Sequence, residues 1–382
     1  MKFNTKIALS LFLVAQGAYA QLATQFSHGV GNGTASVSIP IAVPPGTAGL
    51  APTLSFEYSS GSGAGFMGLG WTVTGLGGIS KCPLTNATDK RVVGANAEYA
   101  IGAFCINGQR LVQIDIDPYA PGSPPLYASE IQFRTEIESF SKVVAYRDGF
   151  CPSPGSGPRG GVADNRCWNE IKGWRVWTKS GLIMEYGSPD AAFASGSNAR
   201  IDSGGAAYSW LVSRVIDSAK NYMQYTYTPY TAIGPTVAGP VTSAVDSRRP
   251  LSVQYGGNLS AGSAHHSRVD FLWSSSLTTG SVTTEQKSYG PGGMITVNRN
   301  FLRGVSTSTK QFNIDTFVDA KHYRVNYAPD SAGAVSKVGF KRLVESIQEC
   351  DTESTCNSGL VDIVPIRFEY QLADLKIGRA HV

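Results

Sequence analysis

The sequence has 382 residues, of which 42% are hydrophobic and only 16% charged, with 43 Gly, 20 Pro, 17 Tyr and 16 Phe. That is apolar material for a real core in one large or two ordinary domains, and low charge with many turn formers suits an all-β extracellular protein. The formal net charge of +4 is spread along the chain without a Lys/Arg run, which argues against binding to nucleic acid or to an anionic membrane.

Residues 1–20 read as a secretory signal peptide. Lys2 and Lys6 precede the apolar run from Ile7 to Ala15, which is too short to span a bilayer, and Ala18-Tyr19-Ala20 fits the small-x-small cleavage pattern. No other segment is apolar enough to cross a membrane. Residues 21–33, with Gly29, Gly31 and Gly33, are expected to be a flexible mature N-terminus. From Ser36 the pattern changes. A strand at Val37-Ser38-Ile39 runs into Pro40, Pro44-Pro45-Gly46 turns, and Thr53 to Tyr58 alternates with period two. Gly61, Gly63, Gly65, Gly68 and Gly70 then lead to Trp71. Glycine at this density permits positive φ and close backbone approach but builds no helix, so two strands joined by rigid turns are expected, with buried Trp71 locking the end.

Further strands follow at short intervals. Phe104 to Ile116 reads as a hairpin turning at Asn107-Gly108, and Tyr127 to Tyr146 as another strand pair. Gly173 to Gly187 is the clearest hairpin, with Trp174 and Val176 on one face and Met184 and Tyr186 returning. Tyr208 to Tyr227 repeats the plan across a turn from Asp217 to Asn221, where Asn221 is expected to take the left-handed conformation. Shorter strands are expected at Leu251 to Tyr255, Arg268 to Trp273, Lys321 to Tyr327, Leu343 to Ile347 and Ile366 to Tyr370, the last with an unpaired edge. No long amphipathic helix is visible. The fold class is therefore all-β: many short antiparallel strands and hairpins. Residues 34–376 form one β-rich domain, with a possible subdivision in the Pro/Gly/Ser-rich stretch 234–262. Ile377 to Val382 matches one reading frame of a common sequencing adapter and is read as an artefact.

The stretch from Ile39 to Cys82, IPIAVPPGTAGLAPTLSFEYSSGSGAGFMGLGWTVTGLGGISKC, resembles the opening of SpvB-like proteins and of the B component of Tc insecticidal toxin complexes. The resemblance continues through Phe104 to Leu111, Phe133 to Phe140, Trp177 to Ile183 and Trp210 to Val215, covering about Gly29 to Tyr370. It implies a secreted β-rich shell protein of the Rhs/YD-repeat type, incomplete at its C-terminus. The implied partners are a downstream Rhs/YD-repeat segment or toxin C component, and a translocating A component. Asp217, Asn221 and Tyr225 fit a YD-type unit, in which an Asp precedes a Gly-Asn turn and a Tyr closes the returning strand; Lys220 stands where the family usually has glycine.

Export permits disulfides. Cys82, Cys105, Cys151, Cys167, Cys350 and Cys356 allow fifteen pairings. Local loop closure favours Cys350–Cys356 and Cys151–Cys167, leaving Cys82–Cys105. No C-x-x-C pair or neighbouring His suggests zinc.

No motif for catalysis stands up, and no cofactor is expected. Gly63 to Gly68 satisfies G-x-G-x-x-G, but Leu69 to Gly75 is glycine- and β-rich where a dinucleotide site needs a helix. Some SpvB relatives carry an ADP-ribosyltransferase as a separate domain, using Arg, then Ser-Thr-Ser, then Glu-x-Glu. Here Glu136-Ile137-Glu138 precedes Ser306-Thr307-Ser308, the reverse order, and the Glu pair reads as the solvated edge of a strand. His265-His266 has no acidic or Cys neighbour and no G-x-S-x-G elbow exists. The expected function is a non-enzymatic toxin component, with a cell-surface or secreted binding module as the alternative.

Overall fold

A computed structural model describes residues 27–31, 34–82, 104–114, 130–147, 171–188, 198–203, 206–229, 232–233, 244–246, 248–274, 286–289, 295–298, 300–311, 315–328, 342–357 and 365–370. The signal peptide, Cys151, Cys167 and residues 377–382 lie outside them.

Strands dominate because side chains alternate apolar and polar through most segments. A covering sheet comes first: β1 (Ser27–Gly31), β2 (Thr34–Pro40), β3 (Ser55–Ser59) and β6 (Trp71–Thr74), in that order and antiparallel. Residues 27–31, inside the stretch expected to be flexible, thus pair as an edge strand. Between β3 and β6 sit the two-residue strands β4 (Ala64–Gly65) and β5 (Gly68–Leu69).

Next comes a closed barrel. Its strands are β7 (Gly78–Lys81), β8 (Phe104–Ile106), β9 (Gln109–Gln113), β10 (Glu130–Thr135), β11 (Lys142–Arg147), β12 (Ile171–Trp177), β13 (Ile183–Gly187) and β15 (Ala206–Ile216). Each pairs antiparallel with the next, and β15 bonds both β13 and β7, so eight strands close a ring. Closure removes free edges from this sheet. Four aromatic rings pack together inside: Phe104 meets Trp174 edge-on at 4.8 Å and Trp210 at 5.7 Å, and Phe133 lies tilted 5.2 Å from Trp174. The Trp210 indole donates to Ile171 O at 2.9 Å. β14 (Arg200–Ser203) pairs outside the ring with β15.

From β15 the sheet runs on, antiparallel, through β16 (Asn221–Tyr227), β19 (Pro250–Asn258), β20 (Ser267–Trp273), β23 (Leu302–Lys310), β24 (Phe317–Tyr327), β25 (Val344–Cys350) and β26 (Ile366–Arg367). The covering sheet packs on its apolar face, where Phe56 meets Tyr323 edge-on at 5.9 Å. A separate small sheet holds β17 (Ala232–Ile233), β18 (Ala244–Asp246), β21 (Gln286–Tyr289) and β22 (Ile295–Asn298). The helical pieces among the described residues are Thr47–Gly49 and Glu353–Asn357. Among the described residues no helix is long and apolar enough to cross a membrane.

Three expectations need correction. The strand at the end of the described chain covers only Ile366–Arg367 and is paired on one side with β25; Phe368 and Tyr370 leave it to pack against Trp71. Glu136 and Glu138 lie on the exposed turn between β10 and β11 rather than on a strand edge, and the Glu138 carboxylate accepts from Phe140 N. In the 217–221 turn, Lys220 rather than Asn221 takes positive φ, at 68°. Asn221 is instead the first residue of β16, where its backbone N and its Nδ2 donate to the Asp217 carboxylate at 2.8 and 2.7 Å. Two hydrogen bonds to a carboxylate outweigh the steric cost of one left-handed lysine.

Candidate functional site

The segment 36–82 acts as a strap tying the parts of the fold together. Its Pro-rich loop crosses the extended sheet: Ala42 N donates to the Tyr323 hydroxyl at 2.9 Å, Pro44 O accepts from the Tyr255 hydroxyl at 2.7 Å, and Thr47 Oγ1 donates to Gly256 O at 2.8 Å. Gly256 has φ +89°, and a Cβ there would lie 2.2 Å from His266 Nε2. The strap then forms β7 and enters the barrel.

The glycines do different work. Gly68 has φ +101°, a Cβ on it would sit 2.5 Å from Arg342 O, and the next amide, Leu69 N, donates to that oxygen at 2.9 Å. Gly70 has φ +78°, and its Cβ would strike the Tyr58 ring at 2.5 Å. Gly61 and Gly65 are closely approached, at 3.1 Å from Thr34 Cγ2 and from Trp71 O, while Gly63 faces open space. The G-x-G-x-x-G stretch is the β4–β5 hairpin, with Phe66 and Met67 as its turn, and it leads into β6 rather than a helix.

Trp71 is 1% exposed, as expected of a lock. Its ring packs edge-on against Phe368 at 4.7 Å and lies 5.4 Å from Tyr58. Its Nε1 donates to the Tyr370 hydroxyl at 2.9 Å, and that hydroxyl donates to Val344 O at 2.8 Å. Burial pushes the Tyr370 phenol up to about 12. Sequence reasoning named Trp71 but missed its neighbours Tyr58, Phe368 and Tyr370; Tyr370 lies 299 positions away, and nothing local marks so distant a residue as a partner.

The residues that resemble a YD-type unit lie on the turn after β15 and on β16. Asp217 caps its turn as described, and Tyr225 and Tyr227 are buried, with the Tyr227 hydroxyl donating to Val212 O at 2.8 Å. Asn258 Nδ2 donates to Ala219 O and Asn221 Oδ1, both at 2.9 Å, so adjacent hairpin turns are stitched by side-chain amides. Cys82 pairs with Cys105 across β7 and β8, and Cys350 with Cys356 around the one-turn helix.

The residues weighed for catalysis are not brought together. Glu136 and Glu138 sit on a barrel turn, and Ser306 to Ser308 on β23 of the extended sheet. Ser306 Oγ lies 2.7 Å from Nδ1 of His322, its directly opposed partner on β24. His265 is buried, and its Nδ1 accepts from Gly257 N at 3.3 Å. Lys81 is buried, and burial lowers its amine to about 8. Among the described residues no group of three or more His, Cys, Asp or Glu is placed to hold a metal.

The clearest constellation of buried charge was not singled out from sequence. Glu185, 1% exposed, lies directly opposite Arg175 on β12 and Arg214 on β15. Its two oxygens accept from their Nε atoms at 2.7 Å each. The trio spans the β13–β15 pair that closes the barrel.

Comparison with known proteins bears on this geometry. By sequence, residues 30–85 match the family model described as SpvB, Salmonella virulence plasmid 65kDa B protein. The described residues of that range include β2 to β7 and the strap. The opening of the chain is therefore similar to SpvB in sequence. The N-terminal domain of the effector protein SpvB from Salmonella typhimurium strain LT2 superposes with a TM-score of 0.54 at 15% identity, over 83% of this chain and 99% of that one. The Tc holotoxin pore of Photorhabdus luminescens gives 0.55 at 17% identity over 85% of this chain, and the TcdB2-TccC3 crystal structure 0.54 at 18% over 85%. This chain spans only 15% and 16% of those two chains. At these identities the likeness is one of fold. No curated protein sequence matches the chain.

Proposed function

We propose that this chain is a structural component of a secreted bacterial toxin, without catalysis of its own. It forms the opening wall of an Rhs/YD-type β shell. The shell encloses a toxic C-terminal segment supplied by a downstream repeat region or a C component, and an A component translocates it. The observation that carries this reading is one continuous antiparallel sheet that closes into a barrel at one end and runs out to β26 at the other. β26 pairs with β25 on one edge and has no strand on its other edge among the described residues. Such an edge is a template for a further strand, and a wall built from paired strands can surround cargo without leaving edges open. The fold shared with a region of much longer toxin chains supports it.

Production of the chain with and without the natural downstream sequence tests the reading. The expected result is a chain that associates on its own, becomes monodisperse with its continuation, and then protects a C-terminal segment from protease. A stable monomer in both cases, or turnover of NAD by the chain, would overturn it.

A further inference from the structure

The outer face of the covering sheet carries a cleft that the wall reading leaves without a role. Its volume is about 390 Å³, and its lining includes Ser36, Ser38, Glu57, Ser59, Ser62 and Thr72. That volume lies within the range of small-molecule sites. The cleft is built from two rows of directly opposed residues: Gly29, Ser36 and Ser59 in one, Ser38, Glu57 and Thr72 in the other. Ser59 N donates to Gly70 O, so glycine stands at both ends of the first row and leaves the trough open there. Ser62, on the turn after β3, adds a hydroxyl from outside the sheet. Val37 and Tyr58 line the cleft too, but their side chains pack into the core on the opposite face, so they contribute backbone.

Among the described residues that line this trough, Glu57 is the one whose ionisable side chain points into it, and it is held in place. Ser55 Oγ donates to its Oε1 at 3.0 Å and Thr74 Oγ1 approaches the same oxygen at 3.4 Å, leaving Oε2 for a ligand. The lining chemistry narrows the ligand class. The described lining residues include no Lys, Arg or His to offer an anion a counter-charge, and a single carboxylate among them falls short of the set of oxygen ligands that a hard cation requires. With the apolar side chains turned inward, an apolar ligand has nothing to bury against. Hydroxyls that both donate and accept, around one acceptor-only carboxylate, match a ligand that is itself a ring of hydroxyls.

We propose that this cleft binds a carbohydrate residue, with the Glu57 carboxylate accepting from vicinal hydroxyls and Ser38, Ser62 and Thr72 bonding the rest. The site faces away from the extended sheet, so it is compatible with the wall reading and independent of it.

The test is saturation-transfer NMR on the 382-residue chain with the methyl glycosides of glucose, galactose and N-acetylglucosamine, and ethanolamine as a cationic control. At least one glycoside should bind. Glu57→Ala should weaken it about tenfold, the loss expected when hydrogen bonds to a charged group are removed. Because Glu57 also bonds Ser55 and Thr74, Thr72→Ala serves as a second variant, expected to weaken binding without moving the melting temperature. Binding of no glycoside, binding unchanged in both variants, or binding of ethanolamine alone would overturn the proposal.

Discussion

The indole of Trp71 and the phenol of Tyr370 are joined by a 2.9 Å hydrogen bond that closes the fold across 299 positions of sequence. The bond continues to Val344 O on β25, so covering sheet, extended sheet and the residues after β26 meet at one aromatic cluster. Tyr370→Phe keeps the ring but leaves a buried indole N–H unpaired, which costs about 1–3 kcal/mol. Trp71→Ala also removes the packing against Phe368 and Tyr58, at about 3–5 kcal/mol. Urea denaturation should rank them in that order. An unchanged midpoint for Trp71→Ala would mean the ring is not the lock described here.

The five glycines before Trp71 should separate sharply on substitution by alanine. Gly68 and Gly70 combine positive φ with a Cβ position 2.5 Å from other atoms, so each change should lower stability by more than about 1 kcal/mol. Gly63 has open space around its Cβ position, and Gly63→Ala should be neutral or slightly stabilising by restricting the unfolded chain. Equal losses at all three positions would show that the close approaches do not set the requirement for glycine.

What was legible in the sequence was local. Asn107-Gly108 announces its turn, and both residues take positive φ, 49° and 82°. The Trp174 and Val176 face meets Tyr186 and Met184 in the expected register, because alternation and a short connection leave little else possible. The Cys350–Cys356 pair follows from loop closure alone. Strands and Pro/Gly turns at short intervals point to a sandwich, barrel-like or shell architecture, but which strands close the ring did not show, because alternation tells which way a side chain points but not which strand lies beside it. β7 meets β15 through Ile79 and Trp210, about 130 residues apart, and no local pattern encodes that. Glu185 was hidden for the same reason: a lone acidic residue in a strand reads as solvated until Arg214 is brought beside it. The Lys220 turn was misassigned because propensity weighs the backbone of Asn221 and not the carboxylate of Asp217 waiting for its side chain.

The Arg175–Glu185–Arg214 trio should be intolerant of losing its centre. Glu185→Ala removes the buried carboxylate that both guanidinium groups share, and breaking a buried pair this way costs about 3–5 kcal/mol. Because Glu185 is almost fully buried, 0.5 M salt should recover little of that loss. Full recovery in salt would mark the trio as a screened surface cluster.

Disulfide mapping gives a direct check on the cysteines. Alkylation under denaturing conditions without reductant should leave Cys82, Cys105, Cys350 and Cys356 unlabelled, and peptide mapping should return the pairs 82–105 and 350–356. Labelling of all four would sink the disulfide reading and count against export.

Acid should loosen the extended sheet before it touches the barrel. His265 is 9% exposed, its ring lies 4.3 Å from that of Tyr222, and burial, helped by the neighbouring His266, holds its pKa down at about 4. His322, 3% exposed, is also lowered, chiefly by burial, with Arg303 and Arg324 acting the same way and Glu353 and Asp319 opposing. In the unfolded chain both imidazoles take a proton near 6.5. Between that value and the folded pKa the unfolded state binds more protons, so stability is full above about pH 7 and falls as pH drops from 6.5 towards 4. Asp270, raised by burial, has the opposite sign and works against the decline. Urea midpoints measured at pH 7, 5.5 and 4.5 should therefore decline, and His265→Asn with His322→Asn should flatten the decline while leaving Glu185 and the barrel as they are. An equally steep decline in the double variant would assign the acid sensitivity to other groups.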